Sequence, residues 1–353
     1  MTVRVGVVGC GFIGTLHSRA LRALVKGGVV DAAVEVTCDA DPERAAGFAR
    51  PHGARPVTDP FEAIAAVDAV WLCTPTVTHR PLVEAAAAAG VAVFCEKPLA
   101  TTLADAEAMA GMVAAAGVVA QVGLVLRHAP VLVDLAGLVA GGGLGRPMAV
   151  VFRDDQYFPV QGQYASAWRG DVAVAGGGTL LEHSIHDIDI LRWLLGEVDE
   201  VTAMTANFAG HPGIEDVAVA TMRFASGATA SLTSVWHQVL ARGSTRRIEV
   251  IGERGIAWLD DEYLGPLHVE TDAGTEERAA RYPPWAEALP YGDPAWTRYV
   301  VPHVVAARGF LDALASGRPA APGLEVGVAA HRVAEAVYRS AAAGGEPVRP
   351  ALL

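Results

Sequence analysis

VRVGVVGCGFIG, residues 3 to 14, is a short β-branched run that breaks into glycines. The run VRVGVV reads as a strand. Gly9, Gly11 and Gly14 then fall on the G-x-G-x-x-G spacing, and FIGTLHSRALRALVKGG continues as a helix. Glycines so placed permit a tight turn and close approach of backbone to a pyrophosphate at the helix N-terminus. The motif carries weight because it lies between a strand and a helix. Gly9, Gly11, Phe12, Ile13 and Gly14 are therefore the candidate phosphate cradle.

Outward from this turn, the first 126 residues alternate short apolar runs with helical stretches. The runs are VRVGVVG, AVEVTCD, DAVWLCT, VAVFCE and VVAQVGLVL. Such alternation predicts βαβ units: a doubly wound parallel sheet with helices on both faces, the Rossmann arrangement. Asp39 ends the second strand, 25 residues after Gly14. A carboxylate there bonds ribose hydroxyls and repels a 2′-phosphate, and Arg44 is the nearest cation, so NAD is expected over NADP. CTPTVTH and CEKP follow the fourth and fifth strands. Thr74, Pro75, His79, Glu96 and Lys97 thus fall at the carboxyl ends, where such sheets bind ligands.

Lys97 is singular in another way. Of 27 basic residues, all but Lys26 and Lys97 are arginine. Arginine is always charged, whereas a buried lysine can be pulled toward neutrality. A retained lysine at a strand end suggests a proton-bearing group, with Pro98 stiffening its turn.

From about residue 127 the pattern changes. Strand MAVVFRDDQYF, a Trp-bearing loop and the helix GGTLLEHSIHDIDILRWLLG precede EVTAMTANF, EDVAVATMRF, ATASLTSVWHQ, RRIEVIG and IAWLDD. ASG (225–227) and GERG (252–255) are hairpin turns, and two helices end the chain. This predicts an α+β domain with a largely antiparallel open sheet. The expected division is 1–126 for dinucleotide binding and 127–353 for substrate binding and oligomerisation. The Pro-rich stretch 282–294 reads as a surface loop.

On the helix from 176 onward, Glu182, His186, Asp189 and Trp193 fall on one arc, and leucines and isoleucines cover most of the rest. A helix apolar on most sides is buried, so its ionisable arc must face a polar cavity. His183 lies off the arc, either a pocket-rim residue or a satisfied core histidine. H-E-x-x-H is absent, and no metal is expected.

A net charge of −12 disfavours nucleic acid and anionic membrane as partners. The apolar stretch 108–126 is interrupted by Gly111, Gly117 and Gly123. It reads as a helix end, a glycine stop and a strand, not a membrane span. The N-terminus runs straight into a strand, with no signal peptide. Cys10, Cys38, Cys73 and Cys95 lie at strand ends as small buried hydrophobes, which suits a cytoplasmic enzyme.

Together, GCGFIG, CDADPERA, CTPTVTHRPLVEAAAAAG, CEKPLATT, the strand into Arg127, AWRGD and GGGTLLEHSIHDIDILRWLLG resemble, in order and over nearly the whole chain, the Gfo/Idh/MocA oxidoreductases. The resemblance implies that Glu96 and Lys97 lie beside the nicotinamide ribose, with Arg127 in the cofactor site. It also implies that Lys97 and His186 are catalytic. Inositol-type members commonly carry Asp where this chain has Glu182. The expected enzyme is an NAD-dependent dehydrogenase of a secondary hydroxyl on a cyclic polyol or sugar. His186 would take the proton, Lys97 would bond the reacting oxygen, and Glu182 would orient both. Tyr157, Trp168, Arg169, His183, Asp189 and His237 are candidate substrate contacts. The resemblance suggests a homodimer or homotetramer packed through the second-domain sheet. A hydrolase or lyase using NAD for transient oxidation, or a non-catalytic binding protein, are the alternatives.

Overall fold

The structure is a computed structural model describing residues 2–292 and 294–353. Six strands make one parallel sheet: β1 Val3–Val8, β2 Ala32–Cys38, β3 Arg55–Val57, β4 Ala69–Leu72, β5 Ala92–Cys95 and β6 Ala120–Val122. Their order is β3-β2-β1-β4-β5-β6. Helices α1 Phe12–Lys26, α2 Pro42–Ala49, α3 Pro60–Ala65, α4 His79–Ala88 and α5 Leu103–Ala116 link them. Chain direction across the sheet reverses between β1 and β4, the switch point where ligands bind. Both faces are buried, which is why the strands are nearly all apolar. Val5, Val7 and Trp71 point into one core, and Val8, Leu72 and Val93 into the other.

Gly117 ends α5 at φ +65°, the expected glycine stop. The strand after it is shorter than predicted. Leu124 N–H turns back to the Val122 carbonyl at 2.8 Å, and Val125–His128 winds into a 3₁₀ turn. Arg127 therefore sits on a helical turn, not a strand.

One compact unit comprises the chain up to His128 together with Tyr282–Val328. The sequence division assigned this later segment to the second domain. Here its helices, Pro284–Glu287 and Pro294–Ser316, complete the first unit's core. Phe310 meets the edges of Trp71 and Phe94 at 5.1 and 5.8 Å, and those two stack at 5.5 Å. Val300, Val304 and Ala307 join them. The Pro-rich stretch is largely exposed, as expected, but it winds into the short helix Pro284–Glu287 and is anchored by buried Tyr282 and Ala286. Its Asp293 lies outside the described residues.

The second unit comprises Ala129–Arg281 and Ala329–Leu353. Its eight strands are β7 Pro147–Tyr157, β8 Val198–Ala206, β9 Val217–Phe224, β10 Thr229–His237, β11 Thr245–Gly252, β12 Gly255–Leu259, β13 Pro266–Thr271 and β14 Gly274–Ala279. The order is β14-β13-β12-β11-β7-β10-β9-β8. Only β7 and β10 pair in parallel, so the sheet is largely antiparallel as expected. Alternation fixes its faces: Ala230, Leu232, Ser234 and Trp236 of β10 are buried and their neighbours are not. Helices α6 Pro130–Ala140, α7 Val172–Ala175, α8 Thr179–Glu182 and α9 Ile185–Leu195 belong to this unit. The four cysteines are free and buried. Among the described residues no helix is long and apolar enough to cross a membrane.

Candidate active site

The switch point of the first sheet is shaped for a dinucleotide. Gly9, at φ +94°, lies so close to the β4 end that a Cβ would meet Cys73 carbonyl atoms at 2.5 Å. A Cβ on Gly14 would meet the Gly9 oxygen at 2.2 Å, so the turn packs tightly on α1. Gly11 is different: a Cβ there meets nothing within 4 Å. It opens α1 with no side-chain cap, leaving a helix N-terminus facing open space, with Phe12 and Ile13 half-buried behind it. This is the geometry that receives a pyrophosphate. Asp39 Oδ2 accepts the Cys10 N–H at 2.9 Å and Oδ1 accepts the Asp41 N–H at 3.0 Å. The carboxylate is thereby aimed, with acceptor capacity left for ribose hydroxyls. Arg44 stands 3.7 Å from Asp39, which it partly neutralises.

After β4, the Thr78 hydroxyl lies 2.6 Å from Thr74 Oγ1 and 2.7 Å from the Pro75 carbonyl. With one proton, it donates to the carbonyl and accepts from Thr74, which fixes that loop. His79, read from the sequence as a cofactor contact, is instead buried beneath the loops. Its Nε2 faces the Thr74 carbonyl at 3.0 Å, and its Nδ1 faces those of Pro98 and Leu99 at 3.0 and 3.2 Å. It ties the loop after β4 to the loop after β5.

Glu96 is also held inside the protein. Its side chain is buried, with Oε1 2.7 Å from His17 Nε2. Burial alone would push this carboxyl up. The His17 hydrogen bond and the neighbouring positive charges, Lys97 among them, outweigh that and hold it below the usual carboxylate range. Lys97 follows, half-buried, its backbone N–H donating to Glu96 Oε2 at 3.2 Å.

In the second unit, the predicted single helix is two. Helix α8 ends at Glu182, His183 leaves helical geometry at φ −122° and ψ −59°, and α9 starts at Ile185. Polar groups from the strands below hold this elbow. Ser184 Oγ bonds Asp154 at 3.0 Å and Ser234 at 2.6 Å, and Ser234 meets Thr179 at 2.7 Å. Glu182 and His186 are therefore neighbours across a break, not successive turns of one helix. Only His186, Asp189 and Trp193 share a continuous helical face.

Glu182 is buried and accepts from Arg169 Nε at 3.1 Å, and the Arg169 guanidinium lies 4.5 Å over the Trp168 ring. His186 is 8% exposed. Its Nδ1 is fully buried. Asp189 is buried. Tyr157 packs 5.3 Å from Tyr164, its hydroxyl accepting the Gln163 N–H. His237 Nε2 lies 3.5 Å from Asp155. The GGG turn before α8 is held by Glu215, which accepts the N–H groups of Gly178 and Leu180 at 2.7 and 2.9 Å and the Tyr338 hydroxyl at 3.0 Å. A Cβ on Gly178 would lie 1.8 Å from the Glu215 carbonyl oxygen, so only glycine fits.

His183, whose role the sequence left open, joins a buried cluster. Its Nε2 lies 3.1 Å from both Asp154 and the Arg246 guanidinium. Arg246 also bonds Asp187 at 2.7 Å, Asp154 at 3.2 Å and Glu262 at 3.4 Å. Three carboxylates around one guanidinium are not all comfortable as anions. Burial, opposed by Arg246 but reinforced by Asp154, pushes Asp187 up to about 7. An unfolded aspartate titrates near 3.9. Between those values the folded protein holds a proton that the unfolded chain has released. Stability from this group is complete below about pH 4 and lost as pH rises through 7. Asp187→Asn, which mimics the protonated form, is expected to raise the melting temperature relative to the parent. Thermal melts should show that gap widening between pH 5 and 7 and levelling above it. A gap independent of pH would mean that Asp187 is ionised throughout.

Comparison with known proteins agrees with this geometry. The oxidoreductase family with an NAD-binding Rossmann fold, Gfo/Idh/MocA, matches residues 3–124, and the Gfo/Idh/MocA C-terminal domain matches residues 133–258. The inositol 2-dehydrogenase of Rhizobium meliloti is 30% identical, over 97% of this chain and 98% of that protein. Inositol 2-dehydrogenase 2 of Paenarthrobacter aurescens is 34% identical, over 96% of each chain. A levoglucosan dehydrogenase solved in complex with NADH and levoglucosan superposes with a TM-score of 0.87 at 25% identity, covering 99% of each chain. With its dinucleotide turn, its aimed Asp39 and both domains matched, the chain belongs to the NAD-binding Gfo/Idh/MocA family of oxidoreductases.

Proposed function

We propose that this enzyme uses NAD to oxidise a secondary hydroxyl of a cyclic sugar or polyol. The observation that carries the reading is the α8–α9 elbow. It presents an imidazole that is 8% exposed, four residues after a buried carboxylate held by arginine. Relatives named for inositol and levoglucosan support the substrate class. Trp168 and Tyr157 offer aromatic surface to a ring, and Arg169, His183, Asp189 and His237 offer polar groups to its hydroxyls.

Bound NAD supplies the acceptor for the carbinol hydrogen and its electron pair. His186 Nε2 takes the hydroxyl proton. Lys97 Nζ donates to the reacting oxygen and stabilises charge as it develops there. Glu182, held by Arg169, orients the imidazole and sets its charge. Gly9, Gly11 and Gly14 cradle the pyrophosphate, Asp39 holds the ribose, and Thr74, Pro75 and Arg127 line the cofactor's path. Val151, Val219 and Met204, exposed on one face of the second sheet, support self-association through that face. The test is a panel of inositols, aldoses and levoglucosan with NAD, followed at the NADH absorbance. A panel without substrate-dependent NADH would overturn the reading.

Cofactor choice is proposed to rest on Asp39. Asp39→Ser keeps an acceptor for the Cys10 N–H but removes the negative charge, and Ala40→Arg adds a phosphate partner. The double variant is expected to move the NAD/NADP ratio of kcat/KM by about tenfold or more toward NADP, about 1.4 kcal/mol. An unchanged ratio would free Asp39 of this role.

A further inference from the structure

We propose that His17 is a positioning residue for this reaction, acting on Lys97 through the Glu96 carboxylate. The inference rests on the role of Lys97 given above. His17 lies three residues past Gly14, on the buried side of α1. Its ring is wedged edge-on between Phe94, 5.0 Å away, and His303, 4.8 Å away. Nε2 donates to Glu96 Oε1 at 2.7 Å, and Glu96 Oε2 accepts the Lys97 N–H at 3.2 Å. One carboxylate thus joins the dinucleotide-binding helix to the backbone of the reacting lysine. Room for it is reserved by Gly123, where a Cβ would lie 2.6 Å from Oε1.

A carboxylate in such a site stays ionised only with a donor against it. The other imidazoles and the thiols around it do not fill that place. His303 uses Nδ1 to donate to the Tyr299 carbonyl at 2.7 Å, and burial pushes it down to about 3. Burial likewise pushes His128 down to about 4, and it keeps the Cys73 and Cys95 thiols protonated. Lys97 donates its backbone N–H to Glu96, and its positive charge acts on the carboxyl in the same direction as His17. Without the His17 donor, Glu96 takes up a proton. The acceptor for the Lys97 N–H then weakens, and the ammonium loses the negative charge beside it. Both effects fall on Lys97, and neither touches the pyrophosphate cradle or Asp39.

The order of two substitutions separates this role from packing. His17→Phe keeps the aromatic wedge and removes the donor, whereas His17→Gln breaks the wedge and keeps a donor. The readouts are kcat with NAD and the best sugar of the panel, substrate KM, NADH affinity and the titration of Lys97. That titration is directly observable, because reductive ¹³C-methylation labels only Lys26, Lys97 and the N-terminus, and Lys26→Arg leaves Lys97 as the labelled side chain. Expected are a kcat loss of about tenfold or more for His17→Phe, a downward shift of the Lys97 titration, and KM and NADH affinity nearly unchanged. Glu96→Gln should do the same, and the double variant should lose no more than the worse single one. His17→Gln should recover much of the loss. A Phe variant as active as the Gln variant or more so, or losses that multiply, would overturn the proposal. Should the Phe variant not fold, Glu96→Gln decides: unmoved kcat and an unmoved Lys97 titration overturn it, and a loss with a downward shift sustains it. Lys97→Ala separates the two levels. If that variant still turns over, the role of Lys97 itself fails. If it is inactive while His17→Phe is normal, only the role of His17 fails.

Discussion

Lys97→Arg is expected to lower kcat by about 10²-fold or more while leaving NAD affinity near that of the parent. The substitution keeps the positive charge at a position where this chain otherwise accepts arginine almost everywhere. What it changes is shape and proton exchange: a planar fork replaces a compact ammonium, and a group that stays protonated replaces one that can titrate. The Lys97 backbone is fixed by Glu96, and its loop is tied through His79 to the loop after β4. The longer head group cannot relax by moving the turn, so it overshoots the reacting oxygen. Steady-state kinetics and NADH fluorescence titration check both halves. An arginine variant with kcat within a few-fold of the parent would reduce Lys97 to a fixed charge.

The second large effect is at His186. His186→Ala is expected to cost about 10³-fold or more in kcat, the upper part of the range for a positioned acid–base group, with NAD affinity intact. Glu182→Gln should cost less. Its amide oxygen still accepts from Arg169, so the elbow keeps its form, but the negative charge that favours a protonated imidazole is gone. The acidic limb of the kcat profile should then move to lower pH, because a less basic His186 is neutral over a wider range. The limb belongs to the coupled groups rather than to one residue. An Ala variant that turns over with an unshifted profile excludes His186 as the base.

The first sheet was legible because its signals are local. A strand, a glycine turn and a helix within one short stretch fix the switch point, and Asp39 follows from spacing. The elbow at His183 was not legible. Periodicity runs smoothly through it, and the break comes from Asp154 and Ser234 on distant strands. The Arg246 cluster left a fainter trace. Arg246 alternates with Ile248 and Val250 on the inward face of β11, and Asp154 with Val150 and Phe152 on that of β7. A charge at an inward period-2 position is the mark of a buried ion pair, and two such marks pair across one register. Glu215 and Tyr338 carry no local signature: their task is to receive a turn far away in sequence. The strand β14, exposed at every position, has no alternation to read.

The return of residues 282–328 to the first unit bears on how the protein is made. Trp71 and Phe94 emerge early in synthesis, but the ring that closes their stack, Phe310, comes more than 200 residues later. Until the ribosome has delivered Pro294–Ser316, the nascent nucleotide-binding core has one apolar side uncovered. The second unit can condense meanwhile from the contiguous run Ala129–Arg281, the larger of its two segments. The domain that begins translation thus keeps an uncovered apolar face until late in synthesis, and the second unit closes later still, when Ala329–Leu353 arrives.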